Sequence, residues 1–352
     1  MTDRLELGDL LDQAAPPVTL AEAAALAERH FGLTGTLRPL TGERDRNFHL
    51  EGADGRHHVV KIAHPAEAPA VTDFQVRALL HIAEADPTLA TPRAVLPVDG
   101  AAEAVWRVPG APDRRLRCYT YLEGRPLHLA APSAAQRARL GRFLARLDTA
   151  LAGFRHPSDD HDILWDLKRA ARVRPLLADI ADPDRRALPE RAFARFEAEI
   201  LPVLGTLRTQ VVHNDFNPHN ILADAADDSR IAGVIDFGDM VRAPLVQDLA
   251  TACAYQVAPQ GHPLDGPADL IAAFHAELPL EEAELAVLPG LIATRMALTI
   301  AISSWRAARH PDNAAYILRN QKAAWSGLER LERLEPAEAR SCLAARFARG
   351  AR

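Results

Sequence analysis

Two short apolar runs separated by a polar turn constrain the fold of this chain most strongly. Residues 221–223 and 231–235 are strand-like, and the polar segment 224–229 between them predicts a β-hairpin. The first run follows Asn220 directly, and the second is followed by Asp236. Because antiparallel neighbours lie side by side, we expect the hairpin to bring Asn220 next to Asp236.

Three polar side chains around this hairpin have the spacing of a phosphoryl-transfer site. Asp215 lies five residues before Asn220, and Asp236 begins an Asp-Phe-Gly sequence. Phosphoryl transfer needs a carboxylate to orient the attacking hydroxyl, and oxygen ligands that hold magnesium against the phosphates. We therefore predict Asp215 as the catalytic base and Asn220 and Asp236 as ligands of Mg²⁺. A chance match of a polar loop is the alternative.

The bulk composition is that of an ordinary globular protein. Of 352 residues, 48% are hydrophobic and 25% are charged, and the formal net charge is -6. This length allows two domains or one two-lobed domain, and the acidic balance argues against nucleic-acid binding. The three cysteines lack a Cys-x-x-Cys spacing, so neither a disulfide framework nor a zinc site is predicted. A reducing cytoplasm is the expected location.

No segment predicts export or membrane insertion. Residues 1–11 carry acidic residues among the apolar ones, unlike a signal peptide. The most apolar long stretch, residues 291–305, contains Arg295 and is too short to span a bilayer. We expect a buried helix there and no membrane partner.

The element order indicates a β-rich N-terminal lobe and a helical C-terminal lobe, an α+β architecture. A Thr19 and Glu22 capping box predicts a helix ending near Gly32. Period-2 patterns then predict a small antiparallel sheet, interrupted by a helix over residues 72–84. Further helices are predicted at 162–180 and 188–206. The expected boundaries are 1–118 for the nucleotide-binding lobe, 119–126 for a hinge and 127–352 for the helical lobe with the catalytic loop and acceptor pocket.

Lys61 is the predicted phosphate-binding lysine of the N-terminal lobe. It lies inside an apolar run on a predicted strand, where a charge needs a partner. That partner would come from the first turns of the following helix, either Gln75 or Asp73. A solvent-facing lysine on an edge strand is the alternative.

The polar loop over residues 41–48 precedes this strand and has one glycine. It therefore differs from a Gly-x-Gly-x-x-Gly loop. Gly42, Arg44 and Asn47 are the candidate contacts to phosphate oxygens, for which arginine has a suitable bidentate geometry. A solvated charged turn is the alternative.

Six segments along the chain carry a resemblance to a known superfamily. They are Glu43 to Phe48, Asp73 to His81, Thr120 to Leu127, His213 to Leu222, Asp236 to Val241 and Asp248 to Ala250. On these residues the chain resembles the aminoglycoside phosphotransferase and choline kinase-like superfamily, and within it is most similar to hydroxylysine kinases and their bacterial relatives.

The resemblance implies a bilobal protein-kinase-like fold and a nucleotide donor, ATP or GTP. It implies that Lys61 binds the phosphates and that Thr120, Tyr121 and Leu122 form a hinge that holds the purine. His213 is implied to be structural. We also expect Asp248 to be structural, ordering the segment after Asp-Phe-Gly by capping a helix.

A small acceptor is favoured over a peptide. Protein kinases place an activation loop and an Ala-Pro-Glu segment after Asp-Phe-Gly, whereas here a helix is predicted shortly after Asp236. An amino-acid acceptor would need a carboxylate for its ammonium groups, Asp166 or Asp239, and an arginine for its carboxylate, Arg295. Trp165 is a candidate wall of the pocket.

Two of these residues have structural alternatives. Arg295 could form a salt bridge to Asp248 or Glu282 without touching a substrate. Trp165 could be a core residue, as aromatic residues at helical spacing usually are.

Three functions are therefore considered. The first is a small-molecule kinase that transfers the γ-phosphate of ATP or GTP to a hydroxyl of a small amine or amino acid, with a hydroxylysine-like acceptor favoured. The second is a phosphotransferase acting on an aminoglycoside or another antibiotic. The third is a catalytically weak, nucleotide-binding pseudokinase, motivated by Gln75 and the glycine-poor loop.

Overall fold

The structure is a computed structural model that describes residues 15–42, 44–335, 338–339 and 341–343. Residues 1–11, where no signal peptide is predicted, and Glu43 lie outside the described residues. The chain divides into two units. The first contains Met1–Glu123 and Phe154–His161, and the second contains Gly124–Gly153 and Asp162–Arg352.

An antiparallel sheet forms the centre of the first unit. Its strands are β1 (Gly35–Leu40), β2 (Arg46–Gly52), β3 (His57–Ile62), β4 (Ala94–Val95), β5 (Ala104–Trp106) and β6 (Arg114–Thr120). The order is β1-β2-β3-β6-β4, and β5 also pairs with β6. Burial alternates along β3, so Val60 and Ile62 face the core while Lys61 lies on the other face. Lys61 is paired with Asn47 on β2 and with Arg117 on β6.

Two helices accompany this sheet, α1 (Leu20–Phe31) and α2 (Pro69–Ala85). The predicted capping box is confirmed, because Thr19 and Glu22 cap each other's backbone. Gly32 ends α1 at φ 65°, a left-handed conformation that glycine adopts without strain. One face of α1 packs on the apolar face of the sheet, where Leu50, Val60 and Ile62 are fully buried.

The second unit is mainly helical, as predicted. Its helices are α3 (Ala134–Ala150), α4 (Pro183–Arg195), α5 (Leu245–Ala254), α6 (Asp265–Glu277), α7 (Glu282–Arg309), α8 (Ala314–Ile317) and α9 (Gln321–Leu331). Helix α7 packs against α4, α5 and α9. By length and composition α7 could cross a membrane, but 78% of its most apolar window is buried inside the structure. The prediction of a buried helix over residues 291–305 is confirmed.

Two predicted helices are interrupted. Residues 162–180 contain two 3-10 segments, Leu167–Arg172 and Arg174–Asp179, in place of one α-helix. Residues 188–206 combine the end of α4 with a π-helical turn and a 3-10 turn at Leu201–Thr206. A proline lies in the first turn of Arg174–Asp179 and of Leu201–Thr206, and proline removes a helical hydrogen bond.

Two small ladders in the second unit position the predicted motifs. Strands β9 (Ile221–Ala223) and β10 (Ile231–Val234) form the predicted hairpin, and β7 (Arg125–Pro126) pairs with β9. Strand β8 (Thr209–Val212) pairs with β11 (Val241–Pro244). The loop 213–220 therefore runs from one ladder to the other, and the Asp-Phe-Gly segment returns in the opposite direction.

Candidate active site

Asp248 on α5 holds the start of the loop 213–220. Its two carboxylate oxygens accept the backbone N–H groups of His213, at 2.9 Å, and Asn214, at 2.8 Å. Asn214 has a positive φ of 64°, which is unfavourable for a residue with a side chain. The predicted helix capping is not found, because α5 begins after Pro244 without a side-chain cap. Asp248 instead stabilises a strained loop backbone.

His213 ties this loop to the Asp-Phe-Gly segment. The ring is fully buried, its Nδ1 accepts the N–H of Asp215 at 3.3 Å, and its Nε2 lies 3.2 Å from the carbonyl oxygen of Ile235. Since Nδ1 accepts, Nε2 carries the hydrogen and donates it. Burial lowers the pKa of His213, which keeps the ring neutral. These contacts are those of a structural residue.

Asp215 lies at the centre of the site, with a side chain 21% exposed. Its Oδ2 accepts N–H groups from Asn217 at 2.8 Å and Asn220 at 2.7 Å, and its Oδ1 is 3.1 Å from Nη2 of Arg295. Burial, followed by the charge of Asp239, raises the pKa of Asp215 to about 7, although Arg295 and Asn217 oppose the shift. A base with a pKa near neutrality is suited to accept a proton from a hydroxyl group.

Asn220 and Asp236 are brought together by the hairpin, as the sequence predicts. The N–H of Ile235 donates to the carbonyl oxygen of Asn220 at 2.8 Å, which joins the loop to the residue before Asp236. The Asn220 side-chain nitrogen is used by Asp215, so its Oδ1 is directed to the other side. Asp236 is exposed and left-handed, with φ 62° and ψ 77°, and accepts the N–H of Gly238.

These residues fit a hard divalent cation. Amide and carboxylate oxygens are the ligands that Mg²⁺ prefers, and it usually takes one or two carboxylates with water and phosphate oxygens. The charges of Asp239 and Asp236 both raise the pKa of Asp215, so three carboxylates lie close enough to act on one another here. Asn220 and Asp236 would hold the cation.

Arg295 on α7 binds the predicted base. The side chain is 1% exposed and contacts Asp215, the carbonyl oxygen of Trp165 at 3.3 Å and the hydroxyl of Tyr255 at 3.4 Å. Its guanidinium carbon lies 5.0 Å from the centre of the Trp165 ring, close enough for a cation–π contact. The salt-bridge alternative for Arg295 is therefore favoured, but with Asp215 as the partner rather than Asp248 or Glu282.

Asp166 is also less accessible than expected. It is fully buried, its Oδ2 lies 2.7 Å from Nζ of Lys168, and its Oδ1 accepts a hydrogen bond from Gln247. Gln247 also donates to Asn214. A buried carboxylate that already has a lysine counterion is a poor ligand for a substrate ammonium group, so this prediction is replaced by a structural role. Asp239, which is half-buried, keeps the role of candidate.

Lys61 in the first unit has two charged neighbours, Asp45 and Arg117, that the sequence did not indicate. Asp45 Oδ2 lies 3.7 Å from Nζ of Lys61 and 2.6 Å from Nη2 of Arg117. Arg117 is fully buried and also donates a hydrogen bond to Gln75. Asp73 contacts Arg77 and His156. Asp45 is therefore an ion-pair partner of Lys61 that was not among the two residues considered from the sequence. It lies in one of the segments that carry the family resemblance, which was the available signal.

Asp45 remains ionised in this setting. Burial would raise the pKa of Asp45, but the charges of Arg117 and Lys61 outweigh it and hold the pKa below its usual range. Because Arg117 is on β6 directly opposite Lys61, the neighbouring strand fixes the position of the carboxylate that the lysine contacts.

The polar loop before β2 makes a close backbone turn. A Cβ at Gly42 would overlap the side chain of Asn47 and come within 2.8 Å of the carbonyl oxygen of Asp45. Glycine is therefore required for this approach. Arg44, on the same loop, acts electrostatically on Asp45. Gly42, Arg44 and Asn47 thus lie near Lys61.

The predicted hinge residues lie at the end of β6 and directly after it. Thr120 and Tyr121 donate their N–H groups to the carbonyl oxygens of Arg93 and His57, each at 2.9 Å. The Tyr121 ring packs edge-on against His49 at a centroid distance of 4.6 Å. Leu122 follows at intermediate burial. These hydrogen bonds fix the backbone of the segment against its two neighbours.

Curated proteins with related sequences extend over nearly the whole chain. The hydroxylysine kinase of Mus musculus is 26% identical over 346 residues, covering 90% of this chain and 90% of that protein. The hydroxylysine kinase of Danio rerio is 24% identical over 333 residues, covering 92% of this chain and 93% of its own.

Solved structures have the same fold. A microcompartment-associated aminopropanol kinase superposes with a TM-score of 0.67 at 18% identity, covering 93% of this chain and 98% of its own. The α+β, kinase-like fold class is thereby confirmed. The sequence profile described as "Phosphotransferase enzyme family" matches residues 36–285. With that match over more than half of its length, the chain belongs to the phosphotransferase enzyme family.

Proposed function

We propose that this protein is a small-molecule kinase that transfers the γ-phosphate of ATP or GTP to a hydroxyl of a small amine or amino acid. The observation that carries the proposal is the geometry of Asp215, whose carboxylate is held by Asn217, Asn220 and Arg295 and has its pKa raised to about 7. A pseudokinase would not need a carboxylate placed and tuned in this way.

In the proposed reaction Asp215 accepts the proton of the acceptor hydroxyl. The hydroxyl oxygen forms a bond to the γ-phosphorus while the bond from that phosphorus to the bridging oxygen breaks, and the nucleoside diphosphate leaves. Arg295 holds one carboxylate oxygen, and the amides of Asn217 and Asn220 hold the other. The base is therefore oriented before the acceptor binds, which reduces the entropic cost of the step.

Magnesium is the proposed metal, held by Asn220 and Asp236. When bound it would neutralise charge on the phosphate oxygens. A solved structure with the same fold, an amicoumacin kinase, is described in complex with AMP-PNP and Ca²⁺, with a TM-score of 0.63 at 13% identity. That description supports a nucleotide donor and a divalent cation here.

For the nucleotide we propose that Lys61 binds the α- and β-phosphates, with Gly42, Arg44 and Asn47 contributing from the loop. The ion pair with Asp45 supports this role, because it would orient the lysine as a helix glutamate does in protein kinases. A charged partner for Lys61 also weakens the pseudokinase alternative, which rested partly on Gln75.

The favoured acceptor is a hydroxylysine-like amino acid. The support is the resemblance to hydroxylysine kinases along 90% of the chain. We propose Asp239 as the carboxylate that binds an acceptor ammonium group, and Trp165 as a wall of the acceptor pocket. Arg295 is assigned to Asp215 and not to the acceptor carboxylate, because it is buried and already has three partners. Three free cysteines are consistent with the proposed cytoplasmic location.

The test is a coupled assay with ATP and GTP in parallel, with magnesium, against hydroxylysine, homoserine, choline, ethanolamine and a panel of aminoglycosides. Turnover of hydroxylysine that falls by about 10²- to 10⁴-fold in Asp215→Asn is the expected result. Asp184→Asn, a surface change on α4, is the matched control. Turnover of an aminoglycoside alone would replace hydroxylysine as the proposed acceptor. Nucleotide binding without turnover of any acceptor would overturn the kinase proposal.

A further inference from the structure

Two buried carboxyl groups face each other behind the catalytic loop. Helices α3 and α5 pack against each other, and Asp148 on α3 and Asp248 on α5 are both fully buried, with carboxyl groups close enough to act on each other's protonation. Asp248 is the residue whose oxygens accept the N–H groups of His213 and Asn214. Asp148 therefore contacts the group that holds the loop, without contacting the loop's reacting residue.

No cation neutralises this pair within the described part of the chain. Neither oxygen of Asp148 accepts a hydrogen bond from an N–H or a neutral hydroxyl group. Asp248 is the titratable group that acts on Asp148, and His213 is the further group that acts on Asp248. His213 is itself neutral, because its Nδ1 accepts a hydrogen bond and burial lowers its pKa.

Two ionised carboxylates in contact cannot both persist in a dry interior. Desolvation disfavours each charge, and their mutual repulsion adds to that cost. Asp248 is the member that keeps the charge, because two backbone N–H groups stabilise it. Asp148 has no such donors and is left to take the proton.

We propose that Asp148 is a positioning residue, a neutral carboxylic acid whose O–H donates to Asp248 and thereby holds the carboxylate that fixes the backbone of His213 and Asn214. A charge-assisted O–H···O⁻ bond is short and strong, so it fixes Asp248 more firmly than packing alone would. Burial, followed by the facing charge of Asp248, raises the pKa of Asp148 well above its ordinary value.

A protonated Asp148 makes the stability of the protein depend on pH. A carboxyl group whose pKa is raised on folding contributes stability that is complete below its unfolded pKa of about 4 and is lost as pH rises through the folded value. The folded wild type retains one proton that the unfolded chain releases. Above pH 4 its unfolding equilibrium constant should therefore rise with pH because of this group.

The Asp148→Asn variant isolates the contribution of this one proton to the stability of the protein. Asparagine has the shape of the neutral acid and donates an N–H to Asp248, but binds no proton. We expect the ratio of the wild-type unfolding constant to that of Asp148→Asn to rise about tenfold per pH unit from pH 5 towards the folded pKa, measured by urea denaturation at fixed pH values. A ratio that is constant from pH 5 to 8 would overturn the proposal.

Asp166→Asn is the matched control for this measurement. Asp166 is equally buried in the same unit but has Lys168 as its counterion. The ratio of the wild-type unfolding constant to that of Asp166→Asn should not rise with pH. A similar rise in both variants would assign the effect to burial of any aspartate and contradict a specific role of Asp148.

Turnover provides a second readout, which rests on the proposed function. Asp148→Leu removes the O–H, and we expect kcat to fall on the order of tenfold because misplacement of the loop displaces Asp215. Asp148→Asn should restore kcat to within about twofold of the wild type, with little change in the nucleotide KM. Failure of the asparagine to rescue kcat would contradict positioning through a donated hydrogen bond.

The denaturation and turnover experiments can contradict their proposals independently of each other. The denaturation experiment needs no substrate, so it tests the protonated pair even if the acceptor or the kinase proposal is wrong. If Asp148→Leu does not fold, Asp148→Asn still decides the question by its pH dependence. An infrared carbonyl band of a protonated carboxylic acid, present in the wild type at neutral pH and lost in Asp148→Asn, would confirm the assignment directly.

Discussion

Asp215 shows how neighbouring groups change the pKa and the orientation of one ordinary carboxylate. Burial and the charge of Asp239 raise its pKa, and Arg295 limits the shift, so the value is about 7. The amides of Asn217 and Asn220 hold the side chain in one orientation. Orientation and proton affinity are thus set by different neighbours.

The first prediction concerns the pH dependence of turnover. The base must be ionised to accept a proton, so kcat/KM should rise with pH through about 7 and level off above it. Arg295→Gln removes the charge that lowers the pKa of Asp215 and should move this rise to higher pH, while Arg295→Lys, which keeps the charge, should move it less. A profile that is flat down to pH 5 would contradict the role of Asp215 as the base.

The second prediction distinguishes the possible partners of Lys61. Asp45→Asn should raise the nucleotide KM about tenfold, the equivalent of about 1.4 kcal/mol, because the lysine loses its oriented carboxylate. Asp73→Asn should change it little, since Asp73 contacts Arg77 and His156. Steady-state kinetics with nucleotide varied at saturating acceptor make the comparison. A larger effect of Asp73→Asn than of Asp45→Asn on the nucleotide KM would favour Asp73, one of the two partners of Lys61 considered from the sequence.

At the scale of elements, the contact between α3 and α6 depends on a glycine, which has no side chain. A Cβ at Gly141 would overlap the carbonyl oxygen of Leu270 and lie 3.1 Å from the nitrogen of Phe274. The backbones of the two helices therefore approach more closely than side chains would permit. This contact also positions α3, the helix that carries Asp148.

The third prediction follows from that contact. Gly141→Ala should destabilise the protein by about 1–3 kcal/mol through overpacking, although alanine favours helix by about 1 kcal/mol. Gly205→Ala is the control, since a Cβ there meets nothing within 4 Å. Urea denaturation of both variants tests the difference. Equal stability of the two would show that the helices can separate at little cost.

At the scale of the whole molecule, each unit has its own buried cysteine. Burial raises the pKa of the Cys118 thiol, in the first unit, to about 12, and raises that of Cys253, in the second, still further. Cys342 is partly exposed. Thiol reactivity depends on access and on the thiolate fraction, so the three cysteines should behave differently.

The fourth prediction uses this difference. In the folded protein one thiol, Cys342, should react rapidly with a thiol reagent, and Cys118 and Cys253 should react only after unfolding. Cys342→Ser should remove the rapid phase, which can be followed by absorbance of the released thiolate. Rapid reaction of more than one thiol in the wild type would show that one of the two cores opens readily.

Sequence reasoning succeeded where structure depends on near neighbours along the chain. The capping box at Thr19, the hairpin after Asn220 and the apolar helix around Arg295 were all predicted, because local hydrogen bonding and periodicity decide them. The prediction of a helix over 162–180 was wrong, because Pro175 and a kink at Arg169 interrupt it.

The sequence by itself determined the spacing of Asp215, Asn220 and Asp236, with one short hairpin joining the last two. Tertiary structure alone decided which distant residues support them. The contacts of Asp248 with the loop, of Arg295 with Asp215 and of Asp45 with Lys61 and Arg117 join segments that are far apart in the chain. Such pairs form when packing buries charges that must then find partners, and no local pattern records that choice.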